Sequence, residues 1–276
     1  MEERSNIGPK FDLTDRIAIV TGGSGMLGSQ FVKTLAHAGA KVMIFDLKTP
    51  NESWFDNLRK MGLARNICID ITKELRVEEG FTITKLLLGT PTILINTAGL
   101  DSTPDASSNV NGPFEDYSEE AWDAVIDSHL KGAFLVSREF LRNFRKAGLN
   151  NGSIINISSD LGLVAPNQKI YEYRRKKGEN FYKPVAYCAA KAGMIGFTKW
   201  LAGYSAPLGI RVNALAPGGV YNQQDPEFVQ AYNQRTMLGR MAKIDDYDGA
   251  ILFLASDASK YMTGAVLSVD GGSTAL

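Results

Sequence analysis

The strongest constraint on the fold is a glycine-rich turn set between two short apolar runs. Arg16-Ile-Ala-Ile-Val-Thr21 has the unbroken apolar character of a strand buried on both faces. Gly22-Gly-Ser-Gly-Met-Leu-Gly28 follows, then a helical stretch to about Ala38 with Gly39 as its C-cap, then a second buried strand at Lys41-Val-Met-Ile-Phe-Asp46. Strand, turn, helix and strand in this order make a βαβ unit, which commits the chain to an α/β fold with parallel pairing.

The turn reads as G-x-G-x-x-G at Gly23, Gly25 and Gly28. Glycine there lets the backbone turn tightly, lets a pyrophosphate approach, and lets helix pack on strand. The free N–H groups at the helix start then meet the phosphates. Asp46 closes the second strand, where an acidic residue binds adenosine ribose hydroxyls and repels a 2′-phosphate. That favours NAD over NADP, with Lys48 close enough to blur the preference. The alternative for Asp46 is a plain strand-end turn residue.

Further strands are expected at 64–70, 92–96, 153–158, 211–216 and 266–269. Asp70-Ile71-Thr72 has two readings: a place beside the adenine, or Asp70 as cap of the next helix. Asn96 ends the fourth strand, and the small Thr97-Ala98-Gly99 lets a cofactor lie over it. Residues 100–117, including Asp101-Ser-Thr-Pro-Asp, read as a surface loop, and Glu119 to about Phe144 as one long amphipathic helix.

Composition narrows the class. The 276 residues, 44% hydrophobic, fit one large α/β core, here taken as a single domain over 1–276 with a polar arm at 1–15. Thirty basic and thirty acidic residues give no net charge, which argues against nucleic acid as a partner. No apolar run approaches the ~20 residues of a membrane span, so a cytoplasmic protein without a membrane partner is expected. Cys68 and Cys188 sit in apolar contexts and read as buried free thiols. His37 and His129 form no ligand cluster, so no metal is expected.

Tyr187 and Lys191 are four apart in Pro184-Val-Ala-Tyr-Cys-Ala-Ala-Lys, one turn apart on a helix face. A tyrosine near pKa ~10 trades protons poorly at neutral pH, and a neighbouring ammonium favours the phenolate. Bringing it to neutrality takes roughly 4 kcal/mol, which calls for a partly buried site and a second positive charge such as an oxidised nicotinamide. Y-x-x-x-K alone also describes an ordinary surface pair.

Taken in order, Thr21-Gly22…Gly28, Asp70, Asn96-Thr-Ala-Gly99, Ser159, Tyr187-x-x-x-Lys191, Arg211-Val-Asn213 with Pro217-Gly218, and Asp270-Gly-Gly272 resemble the classical short-chain dehydrogenases/reductases over residues 11–273. The resemblance implies a Rossmann-type, doubly wound domain with a seven-stranded parallel sheet flanked by helices. It implies Tyr187 as general acid/base, Lys191 lowering its pKa and bonding the nicotinamide ribose, and Ser159, which precedes x-x-G at Gly162, holding the substrate oxygen. Cofactor contacts are implied at Gly22, Ser24, Gly25, Met26, Leu27, Gly28, Asp46, Asp70, Ile71, Asn96, Ala98, Gly99, Tyr187, Lys191, Pro217, Gly218 and Val220. A homotetramer or homodimer is implied, with the Tyr187 helix and the 119–144 helix at the interface.

Three departures from the family pattern stand out. Met26 replaces a loop glycine. His129 sits where an asparagine holds a relay water, and either carries protons itself or fills the helix interior on a backbone carbonyl. Asn222 replaces a threonine near the carboxamide. A substrate loop (160–183) and a lid (217–240) frame the substrate side. Six basic residues (Lys169, Arg174, Arg175, Lys176, Lys177, Lys183) and four aromatics in the loop suit a polar, anionic substrate such as a sugar acid or sugar nucleotide, or else a solvated surface. The lid with the long loop is similar to oxidoreductases of surface-polysaccharide and flagellin modification. The expected function is NAD(H)-dependent hydride transfer on a sugar-derived secondary alcohol or ketone. The alternatives are a gluconate- or mannonate-type sugar-acid dehydrogenase and a dinucleotide-binding regulator without turnover.

Overall fold

The structure, a computed structural model, describes residues 8–50, 52–101 and 106–276. Residues 1–7 of the expected arm and 102–105 of the expected loop lie outside the described residues. Seven strands run parallel in the order β3-β2-β1-β4-β5-β6-β7. They are β1 (Ile17–Thr21), β2 (Lys41–Asp46), β3 (Ala64–Cys68), β4 (Ile93–Asn96), β5 (Gly152–Ile157), β6 (Ile210–Pro217) and β7 (Val266–Val269). The helices are α1 (Met26–His37), α2 (Ser53–Lys60), α3 (Glu74–Leu87), α4 (Ser108–Asn111), α5 (Glu119–Ile126), α6 (Gly132–Lys146), α7 (Glu172–Lys176), α8 (Val185–Ser205), α9 (Pro226–Asn233) and α10 (Asp248–Ala255).

Alternation along the strands divides the core in two. Ala18 and Val20 of β1 face Phe31, Leu35 and Ile251 of α1 and α10. Ile19, from the same strand, faces Phe81, Phe140 and Phe144 of α3 and α6. A sheet covered on both faces needs apolar residues at consecutive positions, which is why β1, β2 and β4 read as unbroken apolar runs. Strand order reverses between β1 and β4, both of which start new crossovers, and ligands of open α/β sheets bind at such a point. Register brings the strand ends level there: Thr21 lies beside both Phe45 and Asn96, and Asn96 beside Asn156.

Four expectations are corrected. The helix expected from 119 to 144 is α5 and α6 joined by a π turn at Asp127–Lys131, centred on the buried His129. The loop after β4 carries α4 and a 3-10 turn at Phe114–Asp116. The 167–183 segment is folded rather than loose: Ile170 is buried, and the Tyr171 ring packs 4.9 Å from Phe181 and 5.5 Å from Phe228 of α9. Both cysteines are free, but Cys68 is exposed, because β3 is the sheet edge and its last residue faces water, and Cys188 is only half-buried.

A buried polar chain ties the sheet to α6 and α8 beneath the site. Asn96 Nδ2 donates to Ser137 Oγ (3.0 Å) and Asn156 Oδ1 (2.8 Å), and Asn156 Nδ2 donates to Thr198 Oγ1 (2.9 Å). Each of these groups is out of water, so losing one partner leaves another desolvated and unpaired. Asn156→Ala is therefore expected to lower stability by roughly 2–3 kcal/mol, seen as a lower urea midpoint with unchanged slope.

Candidate functional site

The ends of β1, β2, β4, β5 and β6 open into one cleft of about 1000 Å³, running from the glycine loop to Tyr187. Its dinucleotide half is shaped by glycines. A Cβ on Gly28 would lie 2.1 Å from the Gly22 carbonyl oxygen, so only glycine lets α1 start this close to β1. Gly25 is the N-cap of α1, and Met26 is its first residue, with the side chain turned outward. Methionine is thus accommodated at 26 because the position already belongs to the helix. The first-turn amides of α1 have no partner within the helix and suit an anionic phosphate. Asp46 sits against the glycine loop at the cleft, where its carboxylate accepts from the amides of Ser24 (2.9 Å) and Lys48 (3.2 Å). The cradle, the helix end and the carboxylate together fit a nicotinamide adenine dinucleotide.

The chemical half is built at the start of α8. Pro184 precedes its first turn, and Tyr187 and Lys191 project from one face. Lys191 Nζ donates to the Ile157 carbonyl (3.0 Å), and the Lys191 carbonyl accepts from Ser158 Oγ (2.7 Å). Ser158 is thereby structural, and Ser159 is the hydroxyl left at the cleft. Burial brings Lys191 down to about 8. Burial pushes the Tyr187 phenol above its ordinary value, and the Asp101 carboxylate adds to this, while the Ser159 hydroxyl opposes it. The protein's own groups therefore do not depress the Tyr187 pKa, contrary to what the Lys191 spacing alone implies. Lys191 Nζ stands 5.4 Å from the Tyr187 ring centre, farther than Lys183 Nζ at 4.1 Å.

His129 lies edge-on to Tyr187, with ring centres 5.8 Å apart. Its Nδ1 is 3.0 Å from the Val125 carbonyl, the tautomer-fixing bond of a packed histidine. A Cβ on Gly99 would come within 2.4 Å of Nε2, so glycine at 99 makes room for the ring. Burial, then the Lys191 charge, bring His129 down to about 3. It is a neutral imidazole at physiological pH.

Of the residues singled out by sequence, Gly22, Ser24, Gly25, Met26, Leu27, Gly28, Asp46, Asp70, Ile71, Ala98, Gly99, His129, Ser159, Tyr187, Lys191, Pro217, Gly218 and Val220 line this cleft. Asn96 does not: its side chain turns inward to Asn156, where it supports the strand end on the cofactor side. Asp70 closes a turn onto Thr72 (2.9 Å to the amide) and lines the cleft; it is not the cap of α3, whose N-cap is Lys73. Asn222 is exposed, and Gln224 faces the cleft instead, anchored to the Val220 carbonyl at 2.9 Å.

The basic loop does not form one anion site. Arg174 pairs with Glu179, Lys176 with Glu172, Lys177 with Glu227 and Lys183 with Asp101. Of the six, Lys183 alone lines the cleft. Sequence reading missed Asp160, Tyr232 and Arg235, which line it too. Asp160 was within reach of inference, being an acid directly after the proposed serine; Tyr232 comes from the lid helix α9 and Arg235 from the turn after it, whose facing only the fold decides.

A family model described as Enoyl-(Acyl carrier protein) reductase matches residues 24–274. A short chain dehydrogenase from Leptospira borgpetersenii, solved with bound NAD+, superposes with a TM-score of 0.84 at 35% identity, covering 98% of this chain and 96% of that one. A gluconate 5-dehydrogenase from Burkholderia cenocepacia, solved with NADP and tartrate, gives a TM-score of 0.84 at 27% identity, covering 98% and 100%. The NAD-dependent glycerol dehydrogenase of Listeria innocua is 30% identical over 271 residues, 96% of each chain.

The neutral His129 carries a pH signature. Its folded pKa of about 3 lies below the ordinary 6.5, so the unfolded chain binds the proton more readily. Its contribution to stability is complete above about 6.5 and is lost as pH falls toward about 3. His129→Gln is expected to flatten the fall in stability across that window relative to wild type, by several kcal/mol at its lower end, measured by denaturant unfolding at a series of pH values. Parallel curves would show that His129 is not buried in the neutral form.

Proposed function

The chain belongs to the classical short-chain dehydrogenase/reductase family and is an oxidoreductase, and on that premise we propose that it moves hydride between NAD(H) and a secondary alcohol or ketone of a polar, sugar-derived substrate. The observation that carries this reading is the convergence of Ser159, Tyr187 and Lys191 at one end of a cleft whose other end is the glycine cradle. A bound nicotinamide supplies the hydride acceptor or donor. Tyr187 takes the alcohol proton in oxidation and returns it in reduction. Lys191, held on the Ile157 carbonyl, places a positive charge beside the phenolate that forms. Ser159 holds the substrate oxygen. Asp46 supports NAD over NADP, because a 2′-phosphate would meet its carboxylate.

The substrate half supports a hydroxyl-rich ligand. Asn167, Gln224 and the Lys183–Asp101 pair offer donors and acceptors, and Tyr171 and Phe228 offer ring faces. Relatives whose names carry gluconate and glycerol handle such molecules. One observation favours the narrower sugar-acid reading: Arg235 lines the cleft and makes no ion pair among the described residues, which suits a substrate carboxylate.

Tyr187→Phe is expected to lower kcat by about 10³-fold or more, while NADH affinity, followed by nicotinamide fluorescence, stays within about threefold of wild type. Turnover that survives the change would remove Tyr187 from the chemistry, and NADPH binding tighter than NADH would remove the NAD assignment. In a screen of sugar alcohols, aldoses and sugar acids, Arg235→Gln is expected to raise KM about tenfold or more for acids and leave neutral polyols near wild type. An equal effect on both classes would leave the neutral-sugar reading in place.

A further inference from the structure

Asp160 is more than nine-tenths buried and lies directly after the serine at the cleft. Among the described residues, every side-chain hydrogen bond it makes is with a donor. Oδ1 accepts from Ser159 Oγ at 2.7 Å and from the Leu161 amide at 2.8 Å. Oδ2 faces the Tyr232 hydroxyl at 3.4 Å and, more distantly, Ser273 Oγ at 3.5 Å, a hydroxyl that lies closer to Asp270 Oδ2 at 3.3 Å. Such a shell of donors is what an ionised buried carboxylate requires. The Tyr232 oxygen itself accepts from the Gly219 amide at 2.5 Å, which leaves its proton to point toward Asp160 across a long 3.4 Å contact. A hydrogen-bonded chain therefore runs from Gly219, just past the Pro217-Gly218 strand end, through the lid helix α9 to Asp160 and on to Ser159.

We propose that Asp160 is a positioning residue for hydride transfer: it holds the Ser159 hydroxyl proton away from Tyr187, ties that serine to the lid through Tyr232, and so sets the pH at which Tyr187 exchanges its proton. The inference rests on Tyr187 being the general acid/base. A serine has one proton to donate. While Ser159 gives it to Asp160, its oxygen accepting from the Leu161 amide at 3.2 Å, that proton is withheld from Tyr187, whose phenolate it would otherwise stabilise, until a substrate oxygen competes for it. The carboxylate's charge acts in the same sense, since a nearby anion disfavours a second one. Other groups facing Tyr187 are accounted for. Lys191 on α8, Lys183 before it and Asp101 after β4 contribute charge, Cys188 lies beside it on α8, and His129 is neutral. Around Asp160 itself stand Tyr171, Tyr232, Tyr247 and Cys188, with Arg235 beside Tyr232 and Asp270 sharing Ser273.

The test is the pH profile of kcat/KM for NAD+-dependent oxidation, on whichever secondary alcohol the wild-type enzyme oxidises. A wrong substrate class would thus show in the wild type and not in the shift. Asp160→Asn keeps the shape, removes the charge and loosens the hold on Ser159. Its acid limb is expected to move down by about one pH unit. Tyr232→Phe withdraws a donor from Asp160, leaving its charge less compensated, and is expected to move the limb up. A role confined to stability would lower the melting temperature and leave both limbs in place, which overturns the proposal. An upward shift in Asp160→Asn does the same. If that variant does not melt cooperatively, the direction of the Tyr232→Phe shift decides alone.

Discussion

Desolvation at the first turns of α8 is the interaction on which the site depends. It pushes Tyr187 up and brings Lys191 down to about 8, so both side chains are driven toward their uncharged forms. Proton exchange by Tyr187 in the neutral range then needs charge or donors from elsewhere. An oxidised nicotinamide carries such a charge when bound. In this chain the burial that disfavours the phenolate also removes the water that would screen an added positive charge. Binding of the cofactor and readiness for proton transfer are thereby linked through one apolar environment.

That environment has to be rigid, and the polar chain under the sheet makes it so. Asn96, Asn156 and Thr198 connect β4, β5 and α8 directly beneath the cleft. Ser158 and Ile157, from the end of β5, bond both the carbonyl and the ammonium of Lys191. The position of Lys191 is therefore fixed by the strand beside it rather than by its own rotamers. The same strand end delivers Ser159, so Lys191 and Ser159 share a single support.

Much of this was legible in the sequence because it follows from local pattern. The unbroken apolar runs of β1, β2 and β4 require a sheet covered on both faces, and the glycines between β1 and α1 require a close approach. Tyr187 and Lys191 are related by helical spacing alone. What could not be read depends on contacts distant in sequence. Four cations of the 167–183 loop are consumed by Glu172, Glu179, Glu227 and Asp101, two of them far away in the chain, so a charge count overstated the site's positive character. Asn96 keeps the family's residue but turns to Asn156, a neighbour fixed only by strand order. Tyr232 lies on the lid helix and Arg235 in the turn after it, and the facing of both depends on Tyr171 and Phe228 packing together.

His129 shows how a departure from a family pattern can be absorbed. An imidazole is wider than a carboxamide and needs room from what packs against its helix. The π turn at Asp127–Lys131 sets the ring between Gly99 and Tyr187, and Gly99 has no Cβ to obstruct it. Once there, the ring is far from water and faces Lys191 and Lys183, so a proton on it would meet two cations in a poorly screened space. The neutral form wins for that reason, with Nδ1 committed to Val125. Had the ring been charged, it would have supplied Tyr187 with a permanent third cation and stabilised its phenolate without any cofactor. Neutrality at 129 thus leaves the charge state of Tyr187 responsive to what binds in the cleft, which a dehydrogenase that alternates between oxidised and reduced nicotinamide requires.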